Sequence, residues 1–397
     1  MLPRVKIYFE NGNLNLVTPS DDCAFGIVAT GVTVSTTFVL ATPYKVSSMD
    51  DVKALGITNG NNPLFYKILS DFYSDSGAGT PVYIMGEPDT MKLSDMVDIA
   101  NASGAKKLVD FFNGKLRGVF ISRKPAVGYT PTITNGLDAD VALARTKAQA
   151  FAEYYTDSKY APLFVAIEGY AYSGTAIDLK DLTTETYNRV SVLIGDTVTG
   201  SANAAIGVLA GRLAISPVQR NIGRVKDGPL APLATFIGST PTELADISTI
   251  HDKGYITFRT FVSQSGYYFN DDPTATAATD DYSHITARRT IDKAYRIGYT
   301  TLLQWLLDEV QINEDGTLPA TVVKAWQQQV ENDIAAQMTA KGELSGDVTK
   351  GDRGVQCYID ASQNLVSGSL LKVRIRVRPF GYPRYIDVYL GFTVIGA

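Results

Sequence analysis

The sequence predicts an α/β protein with a mainly parallel sheet core and helices on both faces. An α+β C-terminal domain follows, and strand-forming arms lie at the two ends. Three observations carry this reading. Between Ser47 and Ile215 helix-like and strand-like segments alternate, and the strand candidates are continuously apolar, as strands buried on both faces of a parallel sheet are. From Ser283 to Pro379 the apolar period changes from three or four residues to two. Finally, 397 residues with 45% hydrophobic and 19% charged content suit a globular chain of two or three domains. The expected division is an arm over 1–20, an α/β domain over 21–280 with a subdivision near 216, a C-terminal domain over 281–381 and an arm strand over 382–397.

In order, Val5, Ile7 and Phe9 alternate with Lys6, Tyr8 and Glu10, an edge strand or arm that Asn11-Gly12-Asn13 punctuates. Strand candidates Ala24–Thr30 and Thr33–Leu40 meet at Gly31. Helices are predicted at Met49–Leu55, Pro63–Tyr73, Gly104–Phe112, Asp138–Tyr155, near Leu179–Tyr187 and at Ala202–Ile215. Strands are predicted at Pro81–Met85, Leu116–Ser122, Pro162–Glu168 and Arg189–Gly195. The stretch 216–281 is less regular, with a proline-rich loop, a helix near Glu243–Lys253, a strand Gly254–Val262 and an acidic loop Asn270–Asp281.

The C-terminal third has the clearest periodicity. Ile291, Ala294, Tyr295, Gly298, Leu302, Trp305, Leu306 and Val310 recur as the stripe of an amphipathic helix. A second helix opens at Thr317-Leu318-Pro319, with proline in the first turn, and runs through Val323, Trp326, Val330, Ile334 and Met338 to Lys341-Gly342. Val355, Cys357 and Ile359 then alternate with polar residues, and Leu371, Val373, Ile375 and Val377 alternate with Lys372, Arg374, Arg376 and Arg378. Two helices thus precede a hairpin, and its second strand carries four cations expected on one face. That face reads equally as solvated or as an electrostatic interface for an acidic partner, which a further copy of a chain with net charge −5 can supply. The final run, Ile386, Val388, Leu390, Phe392 and Val394, contains one charge, Asp387, so it calls for pairing, either as an internal strand of its own domain or as a strand donated to another sheet.

This order of helix, Trp-bearing helix, "KGELSGDV", "VQCYID" and "NLVSGSLLKVRIRVRPFGYPRYIDVYLGFTV" resembles the C-terminal domain of contractile-tail sheath proteins. The upstream "GYITFRTFVSQSGYYFNDDPTAT" resembles the segment leading into it, whereas "MLPRVKIYFENGNLNLV" departs from the usual proline-glycine-valine-tyrosine start. The resemblance implies a structural subunit of a phage or contractile injection system tail. Such a subunit forms a helical homo-polymer around an inner tail tube protein and contracts to drive the tube through a cell envelope. Its other partners are baseplate and tail terminator proteins, and it resides in the virion tail. Strand exchange between copies then falls to Val5, Ile7, Phe9, Ile386, Val388, Leu390, Phe392 and Val394. The alternatives are an α/β enzyme of unknown substrate, with polar residues at strand ends near Glu87, Glu168 and Asp196, and another tail or baseplate component.

Little in the residues supports catalysis. There are two histidines, His251 and His284, and neither a G-x-S-x-G nor a G-x-x-x-x-G-K motif is present. No catalytic, cofactor-binding or metal residue is assigned, and no cofactor is expected. His284 beside Asp280 and Asp281 reads as a solvated loop, and Asp271 and Asp272 as part of an exposed acidic loop rather than a calcium site. Cys23 and Cys357 read as buried reduced thiols, and Gly207 and Gly211 as close helix packing. The acidic net charge argues against a nucleic-acid partner, and no apolar run reaches the roughly 20 residues of a membrane span. Arg4, Lys6 and Glu10 interrupt any signal-peptide core, so assembly in a host bacterial cytoplasm is expected.

Overall fold

The computed structural model describes residues 21–391. By compactness the chain divides into a first unit ending at Leu303 and a second beginning at Gln304.

The first unit is built on six strands: β1 (Phe25–Thr30), β2 (Pro43–Val46), β3 (Val82–Glu87), β4 (Gly118–Ser122), β5 (Phe164–Glu168) and β6 (Val190–Leu193). They lie in the order β2-β3-β1-β4-β5-β6. All neighbours are parallel except β2, which runs antiparallel to β3. Without that edge strand the order is 2-1-3-4-5, a doubly wound sheet. Every residue of β1, β4, β5 and β6 is buried, as their unbroken apolar runs require.

Period-two geometry splits the sheet's side chains between two cores. Phe25, Ile27 and Ala29 join Phe120 and Phe164 on one face, and Val28 joins Val119, Ile121, Val165 and Ile167 on the other. Among the helices are α1 (Met49–Ala54), α2 (Pro63–Ser76), α3 (Ala105–Phe111), α4 (Ala139–Asp157) and α5 (Ile206–Ile215). Helices α2 and α5 supply the first core, and α3 and α4 the second. Gly207 and Gly211 let α5 lie against α2: a Cβ at Gly207 would meet the Ile68 carbonyl oxygen at 2.1 Å, and one at Gly211 would meet that of Phe72 at 2.6 Å.

Four sequence expectations need correction here. Thr33–Leu40 is a turn in which the Val34 amide donates to the Phe38 carbonyl, because Phe38 turns back into the core against Phe65. The helix expected near Leu179–Tyr187 is a short 3-10 turn, Leu182–Thr184, followed by a two-residue strand. Asp181 there accepts from the Thr183 amide and hydroxyl, local bonds that compete with a helix. Gly254–Val262 forms a ladder only at Phe258–Arg259, paired with Tyr268–Phe269.

The fourth correction concerns α6 (Ile285–Leu303), which stops well before Val310 and buries its charged side. Arg288, Arg289, Asp292 and Lys293 are all at most 7% exposed, whereas Tyr295 of the expected apolar stripe is 37% exposed. These charges are paired: Arg189 and Arg288 both donate to Asp292, and Lys293 and Arg296 both donate to Asp22. Buried ions survive when hydrogen-bonded to partners, and a periodicity count that scores only apolar residues misses the face they form.

The second unit holds α7 (Ala320–Gln337) and a hairpin of β7 (Val355–Ile359) and β8 (Val373–Val377). Pro319 precedes α7, and Val323, Val330, Ile334 and Met338 bury its inner face. Val355, Cys357 and Ile359 are buried while Gln356 and Tyr358 point out. Helix α7 packs on β7. Glu331 of α7 fixes the join by accepting the Cys357 amide at 2.9 Å and the Arg353 guanidinium at 3.0 Å. Trp305 stacks on Trp326 at 4.5 Å.

Candidate assembly interface

Strand β8 has one paired edge and one open edge. The Arg378 amide donates to the Gly354 carbonyl, and Gln356 and Tyr358 lie opposite Arg376 and Arg374. In an antiparallel ladder hydrogen-bonded and non-hydrogen-bonded pairs alternate, so Arg374 and Arg376 spend their backbone groups on β7. The amides and carbonyls of Val373, Ile375 and Val377 therefore point away from it. The hairpin is a two-stranded sheet among the described residues, so that row meets no third strand.

The side chains of β8 also divide. Val373, Ile375 and Val377 are half-buried, and Arg374 and Arg376 are exposed on the outward face beside Tyr358 and Gln356. Of the four expected cations, only these two lie within the strand. Lys372 is exposed just before it. Arg378, just after it, is turned to its own unit: its guanidinium donates to the Ser345 carbonyl and the Asp352 carboxylate. Among the described residues the strip thus holds three cations in no ion pair and one satisfied internally. Neither Asp352 nor Glu331 is marked by spacing in the sequence, since Asp352 lies 26 residues from Arg378 and Glu331 lies 26 and 22 residues from Cys357 and Arg353.

Beyond Arg378 the described chain has no regular secondary structure through Gly391. Ile386, Val388 and Leu390 are 74%, 77% and 96% exposed, which is extreme for large apolar side chains. Val5, Ile7, Phe9, Phe392 and Val394 lie outside the described residues.

The acidic loop and His284 differ from expectation. Asp271 and Asp272 are buried, and one ligand atom from each lies within 4.8 Å of one from His284. The Asn221 amide nitrogen donates to both carboxylates, at 2.5 and 2.7 Å. Asp272 also accepts the Thr286 amide at 2.8 Å and its hydroxyl, and its carbonyl accepts the Ile285 amide. It therefore caps the N-terminus of α6. Burial, with Asp271 adjacent, pushes the Asp272 carboxyl up to about 7. Glu168, at the C-terminal end of β5, is likewise raised to about 7 by burial while accepting from Ser122, the Arg123 amide and Asn203. Each of these carboxylates already holds donors of the chain, and their geometry is that of internal hydrogen-bonded hubs. Cys23 and Cys357 are both buried, and no disulfide joins them among the described residues.

The fold is that of contractile injection system sheath and baseplate subunits. A chain in a cryo-EM structure of the anti-feeding prophage baseplate matches with a TM-score of 0.62 at 12% identity, over 99% of both chains. One in an extracellular contractile injection system, the PVC sheath complex in the contracted state, gives 0.61 at 14% identity, over 98% of this chain and 97% of that one. The sheath tail protein from Desulfitobacterium hafniense gives 0.51 at 10% identity, over 90% and 94%. No curated protein matches in sequence. The chain belongs to the DUF2586 family: the model of that family's N-terminal domain matches residues 2–273 and that of its C-terminal domain residues 281–396.

Proposed function

We propose that the chain is the structural subunit of a contractile tail sheath, polymerising around an inner tube and contracting to drive that tube through a cell envelope. The observation that carries this reading is the pairing of an open β8 edge with an exposed apolar arm in one unit. An open edge attracts a strand, and an alternating apolar run left in water needs one, so donation between copies meets both needs. In this reading residues 281–381 form the sheath-type domain, and Ile386, Val388, Leu390, Phe392 and Val394 of one copy, with Val5, Ile7 and Phe9 of another, complete its sheet. Reach permits it: at about 3.3 Å per residue, residues 383–397 extend about 50 Å, against a radius of gyration of about 21 Å for a compact chain of this size.

Contraction by such a subunit needs no nucleotide. A compact lattice that buries about 400 Å² more apolar surface per copy than an extended one gains on the order of 10 kcal/mol before entropic and desolvation costs. Exchanged strands keep copies linked while the rest of each subunit rotates. A baseplate component is the second reading, favoured by the likeness to a chain in a baseplate structure. Negative-stain electron microscopy of the full chain tests both. Hollow tubes or stacked rings are expected, and deletion of 385–397 should abolish them while the first unit stays folded. Normal tubes from the truncated chain would overturn strand donation, and closed single rings at every concentration would favour the baseplate reading.

A further inference from the structure

The second unit carries two unmatched charged surfaces of opposite sign. Lys372, Arg374 and Arg376 are exposed on or beside β8 and form no ion pair among the described residues. Asp308, Glu309, Glu314 and Asp315 are four exposed acids within eight residues, and no Lys or Arg occurs between Arg296 and Lys324. They too form no ion pair among the described residues. Asp308 accepts the Glu309 amide and Asp315 accepts the amide and hydroxyl of Thr317, which fixes the segment's shape without neutralising it. The segment is anchored at the Asn364 corner, where Asn364 donates to the Asp315 carbonyl and the Leu365 amide to the Gly316 carbonyl. Three other charge pairs of the unit are matched internally: Arg353 holds Glu331, Arg378 holds Asp352 and Lys350 holds Asp347.

We infer that the acidic segment 308–315 of one copy seats against the Lys372, Arg374 and Arg376 strip of the next, a contact that rests on the sheath reading and names its electrostatic partner. Like charges about 6.6 Å apart along a strand repel modestly in water and are stabilised when an opposite surface covers them. In the sheath reading successive copies repeat the same contact along a tube, so the acidic segment of each copy meets the strip of the next in a head-to-tail contact. Head-to-tail contacts do not close on themselves as a pair; they propagate into rings or helical filaments. The charge pairing thereby fixes which neighbour each β8 meets, and the donated strand then locks that choice.

The experiment uses three forms of the full chain: Arg374→Glu with Arg376→Glu, Glu309→Lys with Glu314→Lys, and the wild type. Each double variant should raise the protein concentration needed for assembly about tenfold or more, since like charges then oppose one another. Mixed one to one, they should assemble again, because the acidified strip of the first variant matches the basified segment of the second, and the unaltered segment of the first matches the unaltered strip of the second. Recovery on mixing also shows that both variants fold. Wild-type assembly should weaken steeply with salt. Variants that assemble like the wild type would overturn the pairing and leave the sheath reading standing. Variants whose only defect is loss of binding to an added tube protein would overturn it too, by moving the strip to the tube interface. If the wild type formed no polymer, the sheath reading would fall, and sedimentation velocity of the one-to-one mixture would still decide the pairing. A mixed complex absent from either variant alone supports it, and none overturns it.

Discussion

Strands β1 and β8 are similar in length, six and five residues, yet the molecule treats them oppositely. β1 is paired on both edges, and its side chains are buried on both faces between helices. Among the described residues β8 has one partner and one open edge, with a half-buried inner face and a charged outer one. The arm after it exposes Ile386, Val388 and Leu390 almost fully. In the proposed reading the difference separates stability from assembly: β1 spends its edges and faces inside its own unit, whereas the open edge and exposed arm of 372–391 are left for another chain. Mutations should therefore divide by region, in the first unit lowering the unfolding free energy and in the β8 and arm region sparing it.

The largest effects belong to the first unit. Asp292→Ala leaves Arg189 and Arg288 buried without their shared carboxylate, at a cost of about 3–5 kcal/mol. Phe25→Ala removes a fully buried ring in edge contact with Phe120 and Phe164, for a similar loss of about 3–5 kcal/mol. Urea unfolding followed by circular dichroism measures both. A loss under 1 kcal/mol from either would mean that the unit is not the self-sufficient body described above.

Next in size is a pH effect confined to the same unit. Glu168 and Asp272 have folded-state values near 7, raised by burial from ordinary values of 4.5 and 3.8. The folded state therefore holds these protons more tightly than the unfolded chain does. Their contribution is fully present below about pH 4 and is lost as pH rises through about 7. Asp22 behaves oppositely: burial works to raise its value, but the Lys293 hydrogen bond and the charges of Lys293 and Arg296 outweigh it and hold the carboxyl low. Its contribution is lost as pH falls below the ordinary carboxylate range. Unfolding free energy should fall between pH 5 and 7.5 by roughly 1–3 kcal/mol, and a rise across that window would refute the assignment.

Legibility followed the same division. The parallel sheet was readable because strands buried on both faces must be continuously apolar, as at Val119–Ile121 and Val165–Ile167. Edge strand β2 was not, because Pro43-Tyr44-Lys45-Val46 is partly exposed and carries no such run. The buried side of α6 was invisible because its partners Asp22 and Arg189 lie roughly 270 and 100 residues away. For the same reason the Asp271, Asp272 and His284 cluster passed for a solvated loop. The arm and the basic strip were readable as unusual patterns, whereas the internal capture of Arg378 required the fold.

A smaller effect sharpens the boundary between the α2 and α5 helices and everything outside them. Gly207→Ala places a methyl group against the Ile68 backbone, which cannot swing away as a side chain can, so a loss of about 1–3 kcal/mol is expected. An unchanged melting temperature would mean that the two helices are not held at this distance.

The smallest effect is the most informative for the comparison. Leu390 is 96% exposed, so Leu390→Asp removes no buried area from the free chain and creates no cavity. Its effect on unfolding should stay within about 0.5 kcal/mol, as for surface substitutions generally. In a polymer the same carboxylate would sit in the apolar row of a donated strand, where burying an unpaired charge is strongly unfavourable, and assembly should fail. The two readouts must therefore part company. A variant that is both unstable and unassembled would place Leu390 in the chain's own core, and one that is stable and assembles normally would leave the arm without a partner. Only stability without assembly fits a strand whose second sheet belongs to another copy.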